Sequence, residues 1–374
     1  MHVAIDAHSV GAQLAGNESY ITNLIEALAE IDHDNRYTLY VTKRAAIDRF
    51  AGRWANFKVR QTLPHTPLVR LPLTLSAELR RNPVDVLHVQ FTAPPIPPCP
   101  VVASIHDLSF EHLPETFKHR SRAQLRLTVR RTARKAAQIL TLSEFSRRAI
   151  IDTYEVDPQR VKVTPLAANG NFAPVSDETE LLRIRQVYGI EGDYILSVGS
   201  IQPRKNLVRL IRAYSSLRKI GLKNKFPQLV LAGKRGWLYR ETLRAAAQYG
   251  IERDIAFIGY VHERDLPALY SGAICFIYPS YYEGFGLPVV ESMQCGTPVI
   301  AGNRTSLPEV VNGAGVLIDP FDEKELAEAV VRVIDNPDYR AQLRVKGLER
   351  AKDFNWTKTA RLTLQAYQRA IRKE

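Results

Sequence analysis

The feature that most constrains this chain is the repeated alternation of short apolar runs with segments of helical spacing. Residues 3–7 form the first run, and residues 18–32 follow it with apolar side chains on one helical face. The runs are nearly continuous, which is typical of parallel strands buried on both faces. The sequence therefore predicts strands at 3–7, 37–42, 57–61, 84–89, 101–105, 138–143, 161–165, 194–199, 228–233, 255–260, 273–279, 297–301 and 316–319.

The two series of strands predict an α/β fold with two Rossmann-like, doubly wound domains. A chain of 374 residues is long enough for two domains, at roughly 100–200 residues each. Residues 166–178 lack periodicity and contain glycine and proline, so we interpret them as the linker. We place the first domain at 1–172 and the second at 173–355, and we expect the last helix, within 356–374, to pack back on the first domain.

The net charge of +12 predicts an affinity for anionic ligands. Residues 118–135 contain eight Lys and Arg and no Asp or Glu. Two interpretations of this helix stay open: a solvated face, or a face that binds the anionic headgroups of a membrane. His119 is its only aromatic side chain, which argues against a nucleic-acid-binding protein.

The three cysteines, Cys99, Cys275 and Cys295, fit neither a disulfide framework nor a zinc site. We see no signal peptide at the N-terminus and no apolar run long enough to cross a bilayer. These features predict a cytoplasmic protein that is soluble, or at most peripheral at the inner face of the membrane.

The segment Glu283-Gly-Phe-Gly-Leu-Pro-Val-Val-Glu291 follows a predicted strand. Pro288 suits the first position of a helix, and Gly284 and Gly286 allow close approach of the backbone to a ligand. A helix start attracts anions, and carboxylates accept hydrogen bonds from sugar hydroxyls. We therefore expect Glu283, before the helix, and Glu291, in its first turn, to face one ligand.

A second motif, Gly199-Ser-Ile-Gln-Pro-Arg204-Lys205-Asn206, also lies between a predicted strand and a helix. Two cations beside a helix start suit a diphosphate, because Arg binds oxygens in pairs and Lys provides a compact charge. We expect Arg204 and Lys205 to bind that group.

Two further candidates follow strands of the first domain. His106 and Asp107 end the strand at 101–105, and Asp107 is expected to fix the loop. Gly16 and Asn17 lie in the loop after the first strand, where Asn17 is suited either to cap the next helix or to contact a ligand.

The two glutamates with their Gly-Phe-Gly-Leu-Pro filling resemble the signature of glycosyltransferase family 4. The resemblance implies the GT-B fold, two facing Rossmann-like domains with a cleft between them. It also implies sites for a nucleotide-sugar donor in the second domain and for an acceptor in the first. Glu283 would contact the donor sugar and Glu291 the ribose. The remaining donor-site residues would be Gly199, Arg204, Lys205, Val261, Gly284, Phe285, Gly286 and Leu287.

By the same resemblance, His106 would face the reacting sugar, with Gly16, Asn17 and Asp107 on the acceptor side. The expected reaction is retaining transfer of a hexose to a hydroxyl of a glycan, lipid-linked or small-molecule acceptor. Arg204 and Lys205 would neutralise the leaving diphosphate, so that neither a metal nor a cofactor is expected. The motifs look like those of mannosyltransferases, which favours GDP-mannose over a UDP-sugar. The alternative is a GT-B nucleotide-sugar-binding protein or epimerase without transferase activity.

Overall fold

The computed structural model describes residues 1–12, 16–219 and 226–372. The chain divides into two compact units. The first contains Met1–Leu166 together with the C-terminal helix, and the second contains Ala167–Phe354. The boundary between the two units therefore follows Leu166, whereas the sequence placed it at 172. It lies within 166–178, the segment that we interpreted as the linker.

The first unit has a seven-stranded, entirely parallel sheet in the order β3-β2-β1-β4-β5-β6-β7. The order reverses between β1 and β4, so this is the switch point at which doubly wound sheets bind ligands. Its strands are β1 (His2–Asp6), β2 (Arg36–Val41), β3 (Phe57–Gln61), β4 (Val86–Gln90), β5 (Val101–Ser104), β6 (Gln138–Thr141) and β7 (Val161–Val163).

Helices connect these strands, and a π-helical stretch, Arg70–Leu75, lies between α3 and α4. The helices of the first unit are α1 (Gly16–Ile31), α2 (Arg44–Phe50), α3 (Pro67–Val69), α4 (Ser76–Arg81), α5 (Ser109–His112), α6 (His119–Lys135) and α7 (Glu144–Tyr154). The last helix of the chain, Trp356–Ile371, also belongs to this unit and packs on α1. Its Thr359 hydroxyl donates to the carbonyl of Pro165 at 2.5 Å.

The second unit repeats this topology with six parallel strands in the order β10-β9-β8-β11-β12-β13. Its switch point lies between β8 and β11. The strands are β8 (Tyr194–Val198), β9 (Gln228–Ala232), β10 (Ile255–Gly259), β11 (Phe276–Tyr278), β12 (Val299–Gly302) and β13 (Val316–Ile318).

The helices of the second unit cover its sheet. They are α8 (Glu178–Tyr188), α9 (Leu207–Lys219), α10 (Tyr239–Gln248), α11 (Leu266–Ser271), α12 (Leu287–Gln294), α13 (Leu307–Val311), α14 (Glu323–Asp335) and α15 (Pro337–Ala351), so the C-terminal helix is α16. Each unit has its own apolar core, because strands buried on both faces pack against one stripe of each helix. Across the described part of the chain, no helix combines the length and apolar character that a membrane span needs.

Candidate functional site

The switch point of the second unit presents two cations on a short, rigid connection. β8 is followed by Gly199 and then by a single 3₁₀ turn, Pro203–Lys205, whose last two residues are Arg204 and Lys205. Asn206 ends the turn in the left-handed conformation, and its amide donates to the carbonyls of Pro279 and Pro320 at 3.2 and 2.5 Å. These bonds attach the turn to the loops after β11 and β13, so the positions of both cations are fixed.

Arg204, Lys205 and Glu283 form a cluster that we call the charged triad. Arg204 Nη1 donates to one carboxylate oxygen of Glu283 at 2.5 Å, and Lys205 Nζ donates to the other at 2.6 Å. The side chains of Lys205 and Glu283 are only 9% and 7% exposed, so water screens them little. Two cations against one carboxylate leave the triad with an excess positive charge.

The surroundings of Glu283 keep it ionised. Burial by itself would raise the pKa of this carboxyl, but Arg204 and Lys205 overcome that effect and lower its pKa to about 2. Lys205 Nζ also hydrogen bonds to the hydroxyl of Tyr278 and lies 4.4 Å from the centre of its ring. The triad is therefore both charged and positionally restrained at neutral pH.

The loop from Glu283 to the start of α12 is held by hydroxyls of the neighbouring loop. Glu283 N donates to Thr305 Oγ1 at 3.0 Å, and Ser306 Oγ lies 2.9 Å from the carbonyl oxygens of Glu283 and Phe285. Gly286 caps the helix with φ +104°, and a Cβ atom there would lie 2.6 Å from the Leu307 side chain. Position 286 therefore favours glycine on conformational grounds, and a Cβ atom would also force the Leu307 side chain to move.

Glu291 lies one turn into α12, because the helix begins at Leu287. The expectation that Glu291 occupies the first turn is therefore wrong, and Pro288 is the second rather than the first helical residue. Tyr270 donates to Glu291 Oε2 at 2.9 Å. Burial raises the pKa of Glu291 to about 7, and Glu263 contributes in the same direction. The pKa of Glu291 is thus raised, whereas two cationic partners lower the pKa of Glu283.

The other predicted donor-site residues lie on the same unit. Gly284 and Phe285 are buried in the loop between Glu283 and Gly286, with Phe285 edge-on to Phe354 at 5.5 Å. Gly199 has φ +149° beside Lys205. Val261 is buried just after β10, which β9 separates from β8 in the sheet. Gly199 therefore lies beside the triad and Phe285 follows Glu283 by two residues, whereas Val261 follows a more distant strand.

His106 of the first unit is buried after β5. Its Nδ1 lies 3.1 Å from Asn17 Oδ1, and the described residues provide no partner for its Nε2. Burial lowers the pKa of His106 to about 4, so the ring is neutral at neutral pH. An amide oxygen at Nδ1 favours the tautomer with the proton on Nδ1, which leaves Nε2 as a buried acceptor.

The neighbours of His106 differ in part from the sequence expectation. α1 begins at Gly16, so Asn17 is a helical residue and not the residue that precedes the helix; Ala15 lies outside the described residues. Asp107 Oδ1 accepts from Ser109 N at 2.8 Å, a bond that fixes the loop. Gly16 is exposed, and a Cβ atom there would meet nothing within 4 Å.

A cavity of about 350 Å³ lies at the switch point of the first unit, where β1 and β4 end. Its lining includes Asn17 and Asp107, two of the predicted acceptor-side residues, together with Arg70 and Gln90. Arg70 makes two bonds to Asp6, at 2.7 and 3.0 Å. The sequence analysis did not find Asp6, Arg70 or Gln90, and we refer to this cavity as the N-terminal pocket.

Comparisons with known proteins agree with this architecture. A family profile described as Glycosyltransferase Family 4 matches residues 15–169, and one described as Glycosyl transferases group 1 matches residues 182–350. The chain is 36% identical over 267 residues to O-antigen chain mannosyltransferase B of Escherichia coli, covering 71% of this chain and 69% of that protein.

The chain belongs to glycosyltransferase family 4.

This glycosyltransferase is also 34% identical over 236 residues to a D-inositol 3-phosphate glycosyltransferase of Salinispora tropica. That match covers 59% of this chain and 48% of the relative, so the chain spans about half of that protein's length. Among solved structures, HepE of Anabaena in complex with UDP-glucose has a TM-score of 0.77 at 19% identity, over 98% of each chain. The likeness to that structure supports the GT-B fold, as the sequence predicted.

The glycosyltransferase motifs indicated the charged triad, but several of its supporting residues carried no signal in the sequence. Tyr278 ends a buried strand and reads as a core residue, yet its hydroxyl bonds to Lys205. Tyr270, which bonds to Glu291, lies in a short apolar helix. Thr305 and Ser306, whose hydroxyls hold the Glu283 loop, follow β12 and belong to neither of the two motifs identified in the second domain. For the two tyrosines, the only signal in the sequence was a hydroxyl within an apolar run.

Proposed function

We propose that this glycosyltransferase transfers a hexose from a nucleoside diphosphate sugar to an acceptor hydroxyl. The observation that carries the proposal is the charged triad, because its two cations exceed its one carboxylate at the ligand-binding edge of a parallel sheet. A diphosphate would balance this excess charge. The carboxylate would remain available to accept hydrogen bonds from sugar hydroxyls.

The remaining groups at this edge suit the other parts of the donor. The start of α12 presents backbone N–H groups, which would bind phosphate oxygens with Arg204 and Lys205. Glu283 would accept from the hydroxyls of the transferred sugar. Glu291, which Tyr270 holds one turn into α12, would accept from the two ribose hydroxyls.

We propose a GDP-linked mannose as the donor, with a UDP-sugar as the alternative. The support for mannose is the printed name of the Escherichia coli relative, which describes a mannosyltransferase. The support for the alternative is that HepE, whose fold this chain shares, was solved with UDP-glucose. A panel of nucleotide sugars would therefore identify the base and the sugar of the donor.

We propose that transfer retains the anomeric configuration and requires no metal ion. The acceptor oxygen would form a bond to the anomeric carbon while the bond from that carbon to the phosphate oxygen breaks. The acceptor proton would pass to the departing phosphate oxygen, so the products are a glycoside and a nucleoside diphosphate. Arg204 and Lys205 would stabilise the charge that develops on the leaving group.

His106 would take part as a hydrogen-bond acceptor rather than as an acid. Its pKa of about 4 keeps the ring neutral, and its buried Nε2 has no partner among the described residues. A sugar hydroxyl that donates to Nε2 would satisfy this atom. We therefore assign His106 to sugar positioning.

The basic face of α6 is proposed to contact an anionic membrane surface. Leu127, on this helix, is 73% exposed among the cations. Arg126 pairs with Glu111 at 2.7 Å, so part of the positive charge is already balanced within the unit. The remaining exposed cations, such as Arg120 and Arg130, would supply the attraction to anionic headgroups.

A release assay tests the proposed reaction. The purified full chain would be incubated with a panel of nucleotide sugars in EDTA, with and without glycan acceptors, and nucleoside diphosphate would be measured. We expect one donor to turn over with EDTA present and the Glu283→Gln variant to lose that turnover. If a donor binds but no acceptor supports turnover, the chain is a nucleotide-sugar-binding protein; if the donor sugar isomerises, or if free sugar is released at a rate that no acceptor changes, it is an epimerase.

A further inference from the structure

The N-terminal pocket has the features of a built binding site. Its volume of about 350 Å³ falls in the range of roughly 300–1,000 Å³ typical of small-molecule sites. Three phenylalanine rings line it, from Phe91, Phe110 and Phe117. Phe91 follows β4 with φ +58°, a left-handed conformation that costs a bulky non-glycine residue free energy. Rings of this kind pack well against the C–H faces of a sugar.

One buried ion pair determines the charge of this pocket. Arg70 is the sole Lys or Arg among its described lining residues. Arg70 and Asp6 are each 1% exposed and make two parallel hydrogen bonds, so the guanidinium is neutralised inside the protein. The same carboxylate lies 3.2 Å from Nδ1 of His8, another lining residue. Asp107 adds a further carboxylate to the lining.

Two lining side chains also have polar atoms without a partner in the described structure. Arg70 Nε is a buried donor, and Gln90 Oε1 is a buried acceptor. Gln90 is only 5% exposed, and its Nε2 donates to Ser9 Oγ at 2.9 Å, which fixes its amide. Buried polar atoms normally have partners, so these two atoms point to a ligand. A hydroxyl group both donates and accepts, and a sugar offers several.

We propose that the N-terminal pocket binds a neutral hexose unit and that the Asp6–Arg70 ion pair excludes phosphorylated ligands from it. A buried anion needs a cation to offset its loss of hydration. Here the guanidinium of Arg70, the only one among the described lining residues, is already paired, and Asp107 would repel the anion. In α6, whose Gln124 and Leu125 line the pocket, the neighbouring Arg122 and Arg126 are already bonded to the Phe110 carbonyl and to Glu111. The inference rests on the proposed function only in identifying the hexose unit as the acceptor.

Binding of a matched pair of ligands tests the proposal. Methyl α-D-mannopyranoside and its 6-phosphate differ only in the phosphate, and both would be titrated into the full chain at pH 8, without donor, by calorimetry or saturation-transfer NMR. We expect the neutral glycoside to bind at least tenfold tighter. Equal or tighter binding of the phosphate, or no binding of the neutral glycoside at accessible concentrations, would overturn the proposal.

Two variants, each adding one lysine, test whether charge in the pocket determines the ligand preference. Gln124→Lys places an unpaired cation on the exposed α6 wall of the pocket without altering a buried group, and it should reduce or reverse the preference for the neutral ligand. Ala123→Lys adds the same charge at an exposed position outside the lining and should leave the preference unchanged. Equal shifts in both variants would assign the preference to net charge and contradict the proposal.

Two buried residues complete the design. Asp6→Asn frees the Arg70 guanidinium and should shift the preference in the same direction as Gln124→Lys, provided that its circular dichroism is native. Gln90→Leu should weaken binding of the neutral glycoside about tenfold, because it removes one hydrogen-bond acceptor. Unchanged binding in Gln90→Leu would place the ligand elsewhere. The titrations contain no donor, so their outcome does not depend on whether the chain transfers a sugar.

Discussion

The two units share the order of six strands, to which the first adds β7, and both place polar groups at the corresponding switch point, but the chemistry differs. In the second unit, Arg204 and Lys205 share one carboxylate, which leaves an excess positive charge. In the first unit, one carboxylate, that of Asp6, neutralises Arg70. The comparison teaches that the doubly wound topology determines where a ligand binds, while a few side chains after the strands determine which ligand it is.

The largest expected effect is loss of the excess charge in the charged triad. Lys205→Ala removes a buried cation that would stabilise the leaving diphosphate, so we expect kcat/KM to fall about 100- to 1,000-fold, as for other preorganised electrostatic groups. Steady-state kinetics with the active donor measures this loss. Lys346→Ala, at an exposed position of the same unit, is the control and should retain full activity. Wild-type kcat/KM in Lys205→Ala would show that the triad does not serve the leaving group.

The next effect separates the two glutamates of the second unit. Glu291→Ala removes the proposed ribose acceptor but leaves the triad intact. We expect the donor KM to rise about tenfold or more, with a smaller fall in kcat, because hydrogen bonds to charged groups contribute roughly 1.5–3 kcal/mol. Initial rates over a range of donor concentrations distinguish these terms. An unchanged donor KM would count against ribose binding at Glu291.

Lowering the pH should protonate Glu291 but not Glu283. Glu283 has a pKa of about 2 and stays ionised, whereas Glu291 has a pKa of about 7 and takes up a proton below that pH. The raised pKa means that protonated Glu291 is favoured by the fold, and this contribution to stability is lost as the pH rises through 7.

Ribose hydroxyls would donate to the ionised form of Glu291, so that donor binding must displace the proton. We therefore expect the donor Kd to rise below pH 7 by up to about tenfold per pH unit. Calorimetric titrations from pH 5.5 to 8 measure this slope. Glu291→Gln should remove it and leave only the titration of the nucleotide phosphates. A slope that persists in Glu291→Gln would come from another group.

The smallest expected effect concerns the basic face of α6. Arg130→Gln removes one exposed cation from α6. Each basic residue near an anionic surface contributes about 1 kcal/mol, so binding to phosphatidylglycerol vesicles should weaken about fivefold. Vesicle sedimentation at two salt concentrations measures the effect, with Lys346→Ala as the control. Vesicle binding that does not depend on salt, or no vesicle binding, would indicate that α6 presents an ordinary solvated face.

The contrast between the units also shows how far the sequence could predict the site. The charged triad arises from two local motifs, so Arg204, Lys205 and Glu283 were identifiable from short segments after strands. The Asp6–Arg70 pair joins residues 64 positions apart, and Arg70 lies in a π-helical stretch without a regular apolar period. Periodicity predicts strands and helices, as it did for both sheets, but it does not show which distant side chains meet.

The account depends most directly on the charged triad as a diphosphate site. We would titrate nucleoside diphosphates and the corresponding monophosphates into the wild-type chain and into Lys205→Ala by calorimetry, in EDTA. The account predicts that the preferred diphosphate binds the wild type at least tenfold tighter than its monophosphate, and that this difference collapses in Lys205→Ala. Equal binding of the two nucleotides by the wild type, or a preference that survives in Lys205→Ala, would contradict it.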